Sequence, residues 1–205
     1  MARPREFDID KVLDRAMGVF WAKGYDGASL DDLLKAMKIA RGSLYKAFTD
    51  KHSIYLAALD HYDRTVVQPV AAALCDPAGG DGLARIKSVL EGARDAVAEG
   101  NDRRGCFMCN AGIDQASTDA EVRKKVMTMM KRLERGFAAA LKESRVTADW
   151  PAKRRAETAR LLLNSYMGLR VLARSGYSPA ELTGIIGAFL QNSTLHAGRA
   201  RAKPK

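Results

Sequence analysis

The sequence predicts an all-α protein: an N-terminal three-helix domain built around a helix-turn-helix, followed by a larger helical body. Three observations carry that prediction. Apolar residues recur at helical spacing from Asp8 almost to the C-terminus; no segment alternates apolar and polar residues as a half-buried strand does; and Ser29–Lys51 reads as two short helices joined by a tight turn, with a third beginning at its end. The 205 residues suffice for one domain of ordinary size plus a small one, and the expected division is 1–51, 52–196 and a basic tail, 197–205. No internal repeat or coiled-coil heptad is present.

Residues 1 to 7, with Arg3, Pro4 and Arg5, read as a basic arm. The first helix is expected from Asp8 to Lys23, with Ile9, Val12, Leu13, Ala16, Met17 and Phe20 on one face and Gly24 closing it. Ser29 is a natural N-cap for the second, with Asp31 and Asp32 in a first turn where carboxylates suit the helix dipole, and Leu30, Leu33, Leu34 and Met37 form its apolar face. In the third, Leu44 and Phe48 are four apart and face inward, while Arg41, Gly42, Ser43, Tyr45 and Lys46 face out. Such an outward face suits DNA: small residues allow close backbone approach, hydroxyls reach phosphates or base edges, and Arg and Lys neutralise phosphate charge. Lys51, at the next helix start, offers an ammonium and backbone N–H groups to one phosphate; Ser29 is a candidate phosphate contact from its own helix start, though capping alone explains it. Tyr25 is expected to pack between helices rather than touch DNA.

The run Gly24-Tyr25, Ser29, Gly42-Ser43-Leu44-Tyr45-Lys46-Ala47-Phe48 and Lys51 resembles the DNA-binding domain of the TetR family of bacterial transcriptional repressors. The resemblance implies a recognition helix at residues 41–47, a homodimer on palindromic double-stranded operator DNA, and release by an effector bound in the body. Two positions depart from the family's pattern. Lys38 stands where the family usually has a turn glycine, at a cost of about 1 kcal/mol if its backbone is left-handed. Ala40 stands where a capping serine is usual, a loss of about 1 kcal/mol.

Asp50 caps a helix whose apolar positions run to Val66 and Val67 before Pro69, the expected link from reader to body. After the loop signal Asp76-Pro77-Ala78-Gly79-Gly80, helices are expected at 81–99, 106–116, 119–143, 152–175 and 179–196. The last two carry Leu161, Leu162, Leu163, Tyr166 and Leu169, then Leu182, Ile185, Ile186 and Phe189, with Gly168, Gly184 and Gly187 permitting close approach; they are expected to pair across a dimer, as the family resemblance implies, in preference to completing the monomer core.

The formal charge of +10 fits a polyanionic partner, but up to Lys51 there are ten Lys and Arg against eight Asp and Glu, so the reader is only +2 and the DNA inference rests on the motif. No apolar run reaches the roughly eighteen residues of a membrane span and no signal peptide is evident, which predicts a cytoplasmic protein without a membrane partner. Three cysteines are too few for a disulfide scaffold. Cys106 follows Arg103 and Arg104 in a predicted first helical turn, a setting that favours thiolate, with Cys109 one turn on. Oxidant or electrophile sensing there competes with plain burial of two small residues. Phe107, Met127 and Tyr166 are candidates to line an effector pocket, against ordinary core packing. His52, His61 and His196 are scattered, the CxxC pair lacks a second ligand pair for zinc, and no phosphate loop follows a strand, so no enzyme activity, metal or cofactor is expected. An all-helical thiol enzyme or ligand carrier using Cys106 and Cys109 is the rival reading.

Overall fold

The structure is a computed structural model that describes residues 8–100 and 102–198, the last of these, 192–198, by backbone alone. The basic arm with Arg3, Pro4 and Arg5 and the tail cations Arg199, Arg201, Lys203 and Lys205 lie outside the described residues. Every regular element described is helical: α1 Ile9–Gly27, α2 Leu30–Met37, α3 Arg41–Ala47, α4 Lys51–Tyr62, a π-turn Asp63–Val67, α5 Gln68–Cys75, a 3-10 turn Pro77–Gly79, α6 Gly82–Gly100, α7 Phe107–Asp114, α8 Ala120–Glu143, α9 Ala152–Arg174 and α10 Pro179–Gly198. The all-α expectation thus stands.

Three boundaries differ from the sequence reading. α1 does not finish at Lys23: Gly24, at φ 74°, takes a backbone conformation that other residues rarely adopt, and one more turn follows to Gly27. The helix begun at Lys51 does not stop before Pro69 but runs through the π-turn into α5. Pro69 is second in α5, directly after the π-turn, an irregularity of the hydrogen-bond ladder at which a helix can take a residue that has no N–H. Cys106 is the N-cap of α7, with extended backbone, rather than a member of its first turn.

The chain forms two compact units, and they interleave in sequence. One comprises everything described up to Val67 together with Cys106–Met129; the other comprises Gln68–Gly105 and everything described from Met130 on, so the division falls inside α8. In the first unit, α1 packs on α2, α4 and α7. Its centre is aromatic: Phe20 meets Tyr55 edge-on at 4.9 Å, Trp21 meets Tyr62 at 5.2 Å, and Phe107 lies 5.7 Å from Tyr62 and 5.8 Å from Tyr55. Burial of Phe107 is worth about 2–3 kcal/mol, with each ring pair adding about 0.5–1.5. These terms, rather than exposed polar links such as Gln115 to Asp26 at 3.4 Å, hold α7 in the unit.

In the second unit, α6 packs on α5, α9 and α10. Its start is fixed by Asp81, whose carboxylate accepts the Leu83 N–H at 3.0 Å and the Arg145 N–H at 2.9 Å. Gly82 follows because no side chain fits: a Cβ there would lie 1.8 Å from the Ala140 carbonyl oxygen. Arg85, buried at 3 %, pairs with Glu143 at 2.7 Å.

Candidate nucleic-acid interface

The helix-turn-helix is set by caps on both sides of a strained turn. Ser29 and Asp32 form a capping box: the Ser29 hydroxyl accepts the Asp32 N–H at 3.1 Å while the Asp32 carboxylate accepts the Ser29 N–H at 3.1 Å. Lys23 bonds the same carboxylate at 2.6 Å, and that contact, ahead of the Ser29 bonds, holds the Asp32 carboxyl well below the usual range. α2 ends at Lys38, with φ 56° and ψ 42°, the one non-glycine residue with positive φ among those described. Three residues later α3 begins at Arg41; its N-cap, Ala40, gives no side-chain bond. Both departures from the family's pattern therefore sit where they carry their expected cost.

Leu44 is fully buried and Phe48 nearly so, which anchors one side of α3 against its unit. Arg41, Gly42, Tyr45 and Lys46 are exposed on the other side, with Ser43 half-buried among them. Tyr45 leaves half its surface in water, and a Cβ on Gly42 would meet nothing within 4 Å, so the helix backbone is open to approach there. Arg41 is engaged by Asp31 at 3.0 Å, but both side chains are exposed, and such a pair is worth at most about 1 kcal/mol; a phosphate can displace it. Lys51 is half-buried and its ammonium lies 4.5 Å from the centre of the Tyr25 ring, a contact of about 0.5–1 kcal/mol. Tyr25 packs between Phe20 and Tyr55, as its sequence position suggested, and burial raises its hydroxyl pKa, with Asp50 adding to the effect. The Ser29 hydroxyl is occupied by its capping box, so its structural role is fully accounted for.

Cys106 and Cys109 are both buried, and neither is in a disulfide. The arginines before them have partners of their own: Arg103 bonds the Ala173 carbonyl at 3.3 Å and Arg104 pairs with Asp102 at 2.9 Å. A partner of the Cys106 sulfur is the Tyr62 hydroxyl, 3.4 Å away, a neighbour no sequence spacing could reveal because it comes from another helix. The three pocket candidates divide between the two units. Phe107 is core of the first unit, Met127 is exposed on α8 in that unit, and Tyr166 is buried in the second, 6.4 Å from Phe137. No group of three or more His, Cys, Asp or Glu positioned for a metal ion occurs among the described residues. His52 and His61, scattered in sequence, have structural partners: His52 bonds Asp119 at 2.6 Å, and His61, buried, lies 3.0 Å from Arg64 and 3.7 Å from Asp10.

Comparison with known proteins agrees with this geometry. Residues 12–58 match the family described as bacterial regulatory proteins, tetR family, and residues 82–189 match the Tetracyclin repressor-like C-terminal domain. The chain is 33% identical over 137 residues to YezE of Bacillus subtilis, an uncharacterised HTH-type transcriptional regulator, covering 67% of this chain and 70% of that one. It is 28% identical over 195 residues to the Escherichia coli HTH-type transcriptional repressor ComR, covering 92% and 90%. Its fold is similar, at a TM-score of 0.79 and 28% identity over 92% of this chain and 98% of the other, to a cysteine mutant of the TetR family transcriptional regulator CifR complexed with a 26-base-pair double-strand operator. With its reader matched from α1 into α4 and its body matched from α6 to α10, this chain belongs to the TetR family of transcriptional regulators.

Proposed function

We propose that this regulator is a repressor that binds palindromic double-stranded operator DNA as a homodimer, with α3 of each copy in successive major grooves, and leaves it when an effector acts on the body. The observation that carries the reading is the exposed face of Arg41, Gly42, Tyr45 and Lys46, with half-buried Ser43 among them, on a short helix held by buried Leu44 and Phe48. The operator complex of CifR and the repressor description of ComR support it. Such a protein works in the cytoplasm, and no helix among the described residues is long and apolar enough to cross a membrane. The effector is a small molecule, or an oxidant or electrophile acting at Cys106 with Cys109 as resolving thiol. The thiol reading draws on the Tyr62 contact: modification of a sulfur buried against that hydroxyl would push on Tyr62, which packs on Trp21 of α1.

One set of anisotropy measurements tests both parts, using fragments from the DNA flanking the protein's own gene. Tyr45→Ala or Lys46→Ala should weaken binding about tenfold or more with helicity unchanged, and Lys51→Ala should weaken all sequences and reduce the salt slope by about one. Equal affinity in all three variants would remove the assignment. Reversible release by peroxide that disappears in Cys106→Ser and persists in Cys75→Ser supports the thiol route; equal release in both variants excludes it.

A further inference from the structure

The second unit contains an apolar cavity of about 350 Å³ that none of the three pocket candidates lines. Its walls are Leu83 and Ile86 of α6, Leu141 of α8, Trp150 of the following loop, Leu162 of α9 and Leu190 of α10. The loop is locked in place. Thr147, also in the wall, spends its hydroxyl on the Leu141 carbonyl; Arg155 bonds the carbonyls of Ala148, at 3.0 Å, and Trp150; and the Arg154 guanidinium stands 3.8 Å from the centre of the Trp150 ring. The cavity is therefore built, and its volume falls within the range of small-molecule sites, with room for roughly ten non-hydrogen atoms at about 30 Å³ each.

Charge selects among apolar ligands. Among the described residues of the lining Lys87 is the one charged side chain and none is a carboxylate, and the polar groups at its walls include Thr158 and Gln191. The Lys87 ammonium reaches Glu91 only at 3.9 Å, and Glu91 is also taken by Arg94 at 3.3 Å. A carboxylate head group would therefore gain more at Lys87 than Glu91 now supplies, while an amine would meet repulsion without compensation. We propose that this cavity binds a medium-chain monocarboxylate, its hydrocarbon body against Trp150, Ile86 and Leu162 and its head at Lys87. The proposal deepens the effector-released reading above by naming a site and a ligand class.

The test is calorimetric titration of the full-length protein with octanoate, and with 1-octanol as its neutral counterpart. Octanoate should bind saturably, at one site per chain. Lys87→Met, a change at an exposed residue, should weaken octanoate about tenfold while leaving octanol within about twofold. Ala84→Trp, which puts a large side chain at the exposed edge of the cavity, should weaken both tenfold or more. An octanoate affinity unchanged in Ala84→Trp places binding elsewhere, one unchanged in Lys87→Met removes the anionic class, and absence of heat with the wild type, as when a second copy covers the cavity, overturns the site. Operator release is read separately by anisotropy: cavity binding without release sinks the effector reading and leaves the site standing.

Discussion

At Lys38 the backbone is left-handed without the glycine that would take this conformation freely, and two residues on Ala40 leaves the α3 N-terminus without a side-chain cap. Each residue costs about 1 kcal/mol by general measure. Lys38→Gly should therefore stabilise the protein by about 0.5–1 kcal/mol, read as a higher urea midpoint at unchanged slope. A lower midpoint would mean that the Lys38 side chain makes contacts worth more than the backbone strain. The costs fall on the turn that aims α3, where backbone strain is kept only when the surroundings enforce it. Here buried Leu33 and Met37 on one side and Leu44 on the other do so. Lys38 and Ala40 were legible in the sequence because both positions are defined by the local chain.

Helix starts are the elements that respond to acid. Asp50, Asp81 and Asp119 each accept backbone N–H groups at a helix start, and these bonds hold their carboxyls below the usual range; His52 adds to the effect at Asp119. A carboxyl whose folded pKa is depressed binds fewer protons folded than unfolded, so its contribution is complete above the unfolded value near 4 and is lost as pH falls through the folded one. Thermal stability should thus be flat from about pH 7 to 5 and decline below about pH 4. Asp81→Asn should shallow that decline, since Asp81 joins α6 to the Arg145 amide; an acid limb identical to wild type would show that its carboxylate carries no linkage. The π-turn Asp63–Val67 is also where the compact units change along the long helix. Pro69 misled the sequence reading there because helix-breaking power depends on position within a turn, and the π-turn shifted that position.

For the whole molecule, the open question is which apolar surface one chain leaves uncovered. The sequence pointed to α9 and α10 but could not say which residues face out. Leu169, a natural choice for disrupting a dimer, is 3 % exposed within its own chain, whereas Leu161 on α9 and Ile185 on α10 are 60 % and 37 % exposed. A charge at Leu169 would unfold the body and say nothing of assembly. Leu161→Glu and Ile185→Glu should instead give folded monomers in sedimentation velocity, with operator affinity lowered because two half-sites no longer bind as one unit. A dimer that persists in both variants places the interface away from these helices.

The sequence by itself determined the helix order, the capping residues, the turn and outward face of the helix-turn-helix, and through them the family; all depend on spacings within about ten residues. Tertiary structure alone decided what distant residues make together. It put the Tyr62 hydroxyl against the Cys106 sulfur, gave Arg103 and Arg104 partners at Ala173 and Asp102, and grouped α7 and the start of α8 with the reader. It also required glycine at position 82 and shaped a cavity beside Trp150. The physical reason is the helical period: it tells which side of a helix is apolar, but a buried side chain meets whatever neighbour the packing of separate helices brings, and that choice is made only when the core closes.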